Sequence, residues 1–530
     1  MSQDPIPYAW LAIPALCILL YSLSRSSQGN RHLPPGPKRL PLVGNVFDLP
    51  SQYPWQFFAS WAQKYGDLMY TETFGHRTII INSQKIARDL LEKRGAKYSS
   101  RPRMALLVEL IGWYPITSLL PYRSEGHRKQ RRWIWSAFGE KKAVQNYRDL
   151  RERETYTLLL GLMERPDDFA LHIKRHVAAL VLESVYGHRI TSLEDEYVTL
   201  MDNAMDATTA TGVAGGTAVD IFPILQHVPA WIPGAVFKRV GLHARQLVWK
   251  GHHVPYRMVR EAMVSGDARP SFASALTEKA QKAGRLAQEE NDIRYAAGNI
   301  YGAATDTVHI YIDNLAPFLI EATTDRRTMV LHPNVYNRAQ EEVDRVVGKN
   351  RLPTSEDRPR LPYIEAVLKE TYRWHAPVTL GKGFLGLPHY LEEDDEYGGY
   401  YLPKGSTVVA NVWSICRDER IWGDPAAFRP ERFLEPKSEV LDPFNVVFGY
   451  GRRICPGRLF ADTMLFLAIA NMTATLDIRK ARDAEGKEIT PEASFTPNFI
   501  SHAEEFKCFI APRSSAAKAL VAETLARVPA

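Results

Sequence analysis

The pattern of apolar and polar residues predicts a mostly helical chain with a minor β portion. Apolar residues recur at helical spacing in several long stretches, which indicates amphipathic helices. Two short strands are expected within 69–81, around a turn at Gly75-His76, and others near 399–402 and 407–411. The predicted helices cover residues 84–93, 126–138, 149–163, 291–311, 335–347 and 364–374. We therefore predict an α+β fold in one large domain.

The N-terminus contains an uncharged stretch, residues 6–23, which is near the minimum length for a membrane-spanning helix. Asp4 is the only charged residue before it, whereas several basic residues follow it. A cleaved signal peptide is the alternative, but that class normally begins with a basic segment. We therefore expect an uncleaved, single-pass anchor in the endoplasmic reticulum membrane. The positive-inside rule then places the rest of the chain on the cytosolic side.

The remaining chain is predicted to form a linker, one domain and a tail. Residues 24–39 are a polar linker that ends in a stiff Pro34-Pro35-Gly36-Pro37 hinge. Residues 40–515 form the domain, and no repeat of 20–50 residues interrupts them. The Ala-rich tail, residues 516–530, has no predicted function.

Composition and charge narrow the function classes. The chain has 530 residues, of which 45% are apolar and 24% charged, as in globular proteins. Its net charge of +6 is compatible with an anionic membrane surface, an acidic protein partner or simply a basic soluble surface, and it is no sign of nucleic-acid binding. The four cysteines show no paired spacing, which suits a reducing compartment.

Residues 448–457 carry the most specific chemical signal. They fit the pattern F-x-x-G-x-R-x-C-x-G through Phe448, Gly451, Arg453, Cys455 and Gly457. The adjacent glycine at 449, with the one at 451, permits a tight backbone. The cysteine precedes an apolar, helix-like run, where backbone N–H groups stabilise a thiolate. We interpret this as a loop that holds the cysteine against a heme iron, although a lone cysteine is more often a buried structural residue.

In this pattern the chain resembles the cytochromes P-450, the heme-thiolate monooxygenases, over roughly residues 34–510. The resemblance implies heme b ligated by Cys455, with Phe448 shielding the sulfur and Arg453 meeting a heme propionate. It also implies insertion of one oxygen atom from O2 into a hydrophobic substrate, by hydroxylation or epoxidation. Electrons would come from NADPH through a separate reductase. Residues 386–397, 401–405 and 411–418 are similar to filamentous-fungal members, which often modify terpenoids or polyketides.

The same resemblance assigns a structural cluster. Glu370 and Arg373 lie three residues apart in a helical pattern, so they share one helix face. In the family such a pair is buried and joins an arginine from a later P-E-R-F segment, which here supplies Arg432. We predict that this cluster fixes the scaffold behind the heme.

A predicted proton relay lies in the helix around residues 302–307. Ala303 is small enough to let a ligand approach, and Asp306 and Thr307 form an acid–alcohol pair that can deliver protons to reacting dioxygen. The family pattern usually has Gly where this chain has Ala304, and Thr or Ser where it has Val308. The alternative is a threonine that bonds back to its own helix.

Residues 122–132 form a basic run on a predicted helix. Many family members have W-x-x-x-R here, with both side chains on a heme propionate, and this chain has His127 and Arg131 at those positions. The other basic residues of the run form either a solvated face or a docking surface for the reductase.

We interpret two segments, around 321–328 and 382–385, as additions relative to the family. Expected pocket residues are the 104–114 loop with Trp113, Val378, Leu380, Phe499 and Ile500, which suits an apolar substrate. An enzyme that rearranges peroxides without a reductase, a heme protein without catalysis, and an inactive product of the added segments remain alternatives.

Overall fold

The computed structural model describes residues 32–50, 52–211, 217–320, 335–380, 387–435, 441–489, 495–496 and 500–529, with only the backbone described at 306, 309 and 313–320. The predicted anchor, both added segments and Phe499 lie outside the described residues. No helix of the described part is both long and apolar enough to cross a membrane.

The described residues are mostly helical, as predicted, and the helices surround one large apolar core, with two smaller apolar clusters beside the first sheet. The helices of ten or more residues are Pro54–Tyr65 (α1), Glu125–Ile134 (α2), Arg148–Glu164 (α3), Phe169–Tyr186 (α4), Glu196–Ala210 (α5), Val236–Ser265 (α6), Phe272–Lys282 (α7), Leu286–Ile320 (α8), Val335–Val346 (α9), Pro362–Trp374 (α10), Arg458–Thr475 (α11) and Ser515–Arg527 (α12).

Two long helices form the centre of the core. In α11 the side chains from Met464 to Thr473 are all buried, because this helix is apolar on every face. In α8 the small residues Ala296 and Ala297 are fully buried and let neighbouring helices approach closely. The helix α8 is longer at both ends than the predicted 291–311 stretch. It packs against α4 and α11, which places its middle turns inside the protein.

The β portion is small and divided into three sheets. The strands are Leu68–Thr73 (β1), His76–Ile81 (β2), His389–Tyr390 (β3), Asp395–Tyr397 (β4), Tyr400–Leu402 (β5), Thr407–Ala410 (β6), Leu476–Arg482 (β7), Glu488–Ile489 (β8) and Cys508–Pro512 (β9). The first sheet has the order β1-β2-β6-β3, with β2 and β6 parallel, and Ile79 faces Val408 in its register. The strands β4 and β5 form a hairpin, and β8-β7-β9 form a third sheet that the hydrophobic pattern had not predicted.

The C-terminal residues assigned to a tail form the helix α12, which packs against α3. Val521 is fully buried there and belongs to the main core. Ser514 caps the helix by accepting a hydrogen bond from the N–H of Ala517. The C-terminal segment is therefore packed on the domain rather than extended away from it.

Candidate active site

The loop around Cys455 ends directly at the start of α11. The N–H of Cys455 donates to the carbonyl of Phe448 at 2.8 Å and thereby closes the loop. The helix begins three residues after the cysteine, and the N–H groups of Gly457 and Arg458 point at the sulfur. The sequence places a thiol at a helix N-terminus, where partial positive charge collects.

Two glycines give this loop its shape. Gly449 and Gly451 have φ angles of 79° and 55°, in the left-handed region that side chains disfavour. A Cβ at position 451 would also lie 2.2 Å from the carbonyl oxygen of Leu91. The loop therefore needs glycine at 451 to pack against that segment. A Cβ at Gly457 would meet nothing within 4 Å, so the loop is open on that side.

Opposing effects act on the Cys455 thiol. Burial raises its pKa, while the N–H groups of Gly457 and Arg458 and the charge of Arg131 lower it, and burial is the larger effect. The protein alone therefore favours the protonated thiol. A metal ion at the sulfur removes this proton, because a coordinating thiol is deprotonated outright.

Phe448 belongs to an aromatic cluster beside the loop. Its ring lies 5.5 Å from Tyr372 and 5.0 Å from Phe444, centroid to centroid. The Tyr372 hydroxyl donates to Asp462 of α11 at 3.1 Å. These contacts hold the loop against α10 and α11 and place an aromatic cluster at its start.

Three arginines converge near the loop and donate to backbone carbonyls alone. Arg453 donates to Ser99 at 2.6 Å and to Leu120 at 2.7 Å. Arg131 donates to Ile454 at 2.7 Å, and Arg101 donates to Ser118 at 2.9 Å. Among the described residues, none of the three forms an ion pair with a carboxylate. We call Arg101, Arg131, Arg453 and His127 the cationic cradle.

Burial and the positive charges of neighbouring arginines lower the pKa values of Arg453 and Arg101. Burial, followed by the charge of Arg131, lowers the pKa of Arg453 to about 10. Burial and the charges of Arg453 and Arg131 lower the pKa of Arg101 strongly. The cradle therefore repels itself until an anion joins it. The sequence analysis missed Arg101, because its position depends on how the 99–120 segment packs on the loop.

His127 has the same surroundings. Its side chain is buried, and neither ring nitrogen has a hydrogen-bond partner of good geometry among the described residues, although the backbone of Tyr122 lies nearby. Burial, followed by the charges of Arg453 and Arg131, lowers the pKa of His127 to about 3. A neutral imidazole with an unused N–H is a donor for a buried acceptor.

These residues fit heme. A half-buried group of arginines that forms no ion pair with a carboxylate among the described residues, together with the unpartnered imidazole of His127, matches the two propionates of the porphyrin. The thiol at the helix N-terminus matches an iron ligand. Cys455, Arg101, Arg131, Arg453 and His127 would hold the group, and each has the donor or ligand chemistry that it needs.

The middle of α8 contains the predicted relay. Ala303 is exposed although its neighbours Gly302 and Thr305 are buried, so the helix presents a small side chain to an open space. The Thr307 hydroxyl donates to the Ala303 carbonyl at 2.7 Å, which is the back-bonded arrangement weighed as the alternative. The helix is continuous here, without a bulge, and the side chain of Asp306 is not described.

Tyr311, one helical turn after Thr307, connects α8 with the loop. Its ring lies 5.1 Å from Tyr372, and the Cys455 thiol is one cause of its raised pKa, after burial and Cys416. The same helix therefore brings the Thr307 side and the cysteine loop into one region.

The structure brings Glu370, Arg373 and Arg432 together in the core. Arg373 donates to both Glu370 oxygens at 2.8 and 2.7 Å, and Arg432 donates to the same carboxylate at 3.2 Å. Glu370 and Arg373 are fully buried, and Arg432 is 4% exposed. Backbone carbonyls of the 416–427 segment accept the remaining donors. All three charges are therefore compensated by ion pairs and dipoles.

The expected pocket residues include several buried apolar groups. Trp113, Leu380 and Ile500 are all buried in the described structure. The Trp113 indole N–H donates to the Thr208 hydroxyl of α5 at 3.0 Å, which connects the 104–114 segment to that helix. Trp113 lies in the main apolar core, whereas Leu380 belongs to the smaller apolar cluster around Trp55.

Comparison with known proteins gives one consistent result. A family model described as cytochrome P-450 matches residues 34–503. Cytochrome P-450 monooxygenase 136 of Postia placenta is 40% identical over 525 residues, which covers 98% of this chain and 96% of that protein. Monooxygenase claR of Ampulloclitocybe clavipes is 40% identical over 507 residues, covering 95% and 91% respectively. The loop around Cys455, the cationic cradle and the buried Glu370 cluster lie within the matched region, and the chain belongs to the cytochrome P-450 family of monooxygenases.

Proposed function

We propose that this protein inserts one oxygen atom from O2 into a hydrophobic organic substrate, by hydroxylation or epoxidation. The arrangement of Cys455 at the N-terminus of α11, beside the cationic cradle, carries the proposal. Bound heme supplies the oxidising chemistry, and the thiolate ligand favours O–O bond cleavage. Electrons come from NADPH through a separate reductase.

The residues of the chain have distinct tasks in this reaction. Arg101, Arg131 and Arg453 orient the cofactor through its carboxylates, and the aromatic rings around Phe448 exclude water from the sulfur. The Thr307 hydroxyl, released from the Ala303 carbonyl, holds a proton near the reacting oxygen. Asp306 resupplies that proton from solvent.

The deciding experiment is the reduced carbon monoxide spectrum of the purified protein and of Cys455→Ser. A thiolate-type band in the wild type, absent from the variant, is expected. The same band in Cys455→Ser would exclude Cys455 as the ligand. Turnover that requires NADPH and a reductase separates a monooxygenase from an enzyme that rearranges peroxides, and a spectrum without turnover favours a non-catalytic heme protein.

Thr307→Val tests the relay. The variant loses the hydroxyl but keeps the shape, so NADPH oxidation is expected to continue while product falls about a hundredfold, at the lower end of usual acid–base contributions, and hydrogen peroxide rises. Thr307→Ser is the matched control and should restore most of the product. Equal product yields in all three proteins would remove Thr307 from the relay.

For the substrate, we propose a terpenoid or polyketide of fungal secondary metabolism. The buried apolar side chains of Trp113, Leu380 and Ile500 support a hydrophobic ligand, and the matched relatives are fungal monooxygenases. Binding spectra with a panel of sesquiterpenes, aromatic polyketides and fatty acids test this class. Tight binding of fatty acids alone would contradict it.

We propose further that the protein is anchored in the endoplasmic reticulum membrane by residues 6–23, with the domain in the cytosol. The described body supports contact with the bilayer, because Ile224 is 75% and Trp231 80% exposed. Phe222 lies nearby in sequence and packs on Phe74 at 5.2 Å. Flotation of the protein without residues 1–31 tests the body alone. Residual membrane binding is expected, and Ile224→Asp with Trp231→Asp should abolish it.

A further inference from the structure

A surface cleft of about 330 Å³ lies between α6 and the first turns of α8. Trp249, His253 and Arg260 line it from α6, and Glu290 and Arg294 line it from α8. The α6 residues recur at helical spacing, so they share one face of that helix. None of these residues belongs to the cradle, the cysteine loop or the relay.

One wall of the cleft is aromatic. The rings of Trp249 and His253 are stacked, with centroids 4.3 Å apart and planes 15° from parallel. Trp249 is 53% exposed, which leaves much of its surface accessible. A large, ordered, half-exposed indole provides a face on which a planar ring can stack.

The hydrogen bonds of His253 fix its protonation. Its Nδ1 lies 2.9 Å from the Trp249 carbonyl, and its Nε2 lies 3.0 Å from Nη1 of Arg294. Because an arginine can only donate, Nε2 accepts and Nδ1 carries the proton. Burial lowers the pKa of His253, with a smaller contribution from Arg294. The imidazole is therefore neutral and holds Arg294 in place.

The other wall is cationic. Arg257, Arg260 and Arg294 line the cleft; Nε of Arg257 lies 3.8 Å from Glu261, and Nε of Arg260 lies 3.6 Å from the lining residue Glu290. Arg294 lies over the ring of Tyr256 at 5.4 Å and has no carboxylate partner among the described residues. Its remaining N–H donors are therefore available to an anion.

We propose that this cleft binds a planar aromatic carboxylate. The ring of the ligand stacks on the Trp249–His253 pair, and its carboxylate accepts hydrogen bonds from Arg294 and Arg260. An anion without a ring contacts only the guanidinium groups, and an aromatic ring without a charge contacts only the Trp249–His253 pair. Both are therefore expected to bind more weakly than the aromatic carboxylate. The cavity volume is within the range of small-ligand sites.

The test is calorimetric titration of the heme-loaded protein with 2-naphthoate. The heme pocket is first saturated with 1-phenylimidazole, so that only a second site is measured. One equivalent of naphthoate is expected to bind, whereas inorganic phosphate and 2-naphthylmethanol should bind at least about tenfold more weakly, since each lacks one of the two interactions. Equal binding of phosphate, equal binding of the alcohol, or no binding of naphthoate would each overturn the proposal.

Two variants locate the site. Arg294→Gln and Trp249→Ala should each weaken naphthoate binding about tenfold, because each removes one half of the recognition. Arg285→Gln is the matched control, since Arg285 directly precedes the same helix but pairs with Glu289 outside the cleft. The carbon monoxide spectrum of each variant verifies that the fold is retained. Unchanged binding in Arg294→Gln, or an equal loss in Arg285→Gln, would refute the assignment.

Discussion

Two arginine clusters of this protein, one buried and one half-buried, have opposite kinds of partner. Behind α10, Arg373 and Arg432 share the Glu370 carboxylate, and carbonyl oxygens accept the other donors. In the cationic cradle, Arg131 and Arg453 donate to carbonyls and have no carboxylate among the described residues. The ion-paired Glu370 cluster stabilises the protein without heme, whereas the cationic cradle is stabilised only when an anion binds to it. The balance of charge therefore separates scaffold from binding site.

The largest effect is expected from Arg373→Ala. Removing one partner of a buried ion pair leaves Glu370 unpaired and costs about 3–5 kcal/mol, a large part of the total stability of a domain. Little or no heme-loaded protein should be recovered, as measured by the carbon monoxide spectrum and by urea unfolding. A variant that folds and binds heme normally would show that the cluster is not the scaffold.

A smaller, selective effect is expected from Arg131→Gln. The apoprotein should keep its stability, because this change removes a cation from a self-repelling group. Heme affinity should fall at least about tenfold, the usual effect of losing a hydrogen bond to a charged group. Heme titration of the apoprotein, with urea unfolding of the same sample, separates the two quantities. Loss of stability without loss of heme affinity would make Arg131 part of the scaffold.

We expect His127 and His375 each to make the folded protein less stable as the pH falls. Burial lowers the pKa of His127 to about 3, and burial with the charge of Arg417 does the same for His375. The unfolded chain takes up protons below about pH 6.5 while the native protein does not, so stability falls as the pH falls. Each histidine should contribute about 1.4 kcal/mol of loss between pH 7.5 and 5.5.

Urea unfolding of the apoprotein at both pH values checks this, and His127→Gln or His375→Gln should each reduce the pH dependence by that amount. A pH dependence that is unchanged in either variant would show that the histidine takes up its proton at the same pH in the native and the unfolded protein.

The smallest effect is expected at an exposed ion pair. Arg420 is paired with Asp67 at 3.0 Å, but its side chain is 66% exposed. Arg420→Gln should change the free energy of unfolding by less than about 1 kcal/mol and leave the heme content unaltered. It is the surface control for Arg373→Ala. A loss comparable with that of the buried variant would mean that burial is not what separates the clusters.

Local sequence signals predicted the parts of the site that are contiguous. The loop 448–457 and the Glu370–Arg373 pair each lie within ten residues, so spacing alone was informative. Arg101 was missed because nothing near it in sequence indicates that it meets Arg453, more than 350 residues later. The arginines of the cradle come together without a carboxylate partner only in the folded chain, so no sequence pattern predicts this arrangement.

The fold likewise divides into elements that local sequence predicted and elements that depend on tertiary contacts. The mostly helical class was predicted, as was the hairpin β1–β2, since its alternation and turn are local. The helix α6 was not predicted, although it is 30 residues long, because it contains Pro255 and many polar residues. The sheet β8-β7-β9 was also missed, because β7 pairs with a strand about thirty residues later in the chain. Tertiary packing decides both elements.

The hinge Pro34-Pro35-Gly36-Pro37 lies directly on the first sheet. The Tyr70 N–H donates to the Pro35 carbonyl at 2.9 Å, and a Cβ at Gly36 would lie 2.0 Å from the Tyr70 carbonyl oxygen. The Tyr401 N–H likewise donates to the carbonyl of His32. The chain is thus fastened to β1 and to the β4–β5 hairpin from its first described residue. In the proposed membrane-anchored form, residues 32–36 therefore belong to the rigid body, and these contacts with two sheets help to set the face that the domain turns toward the lipid.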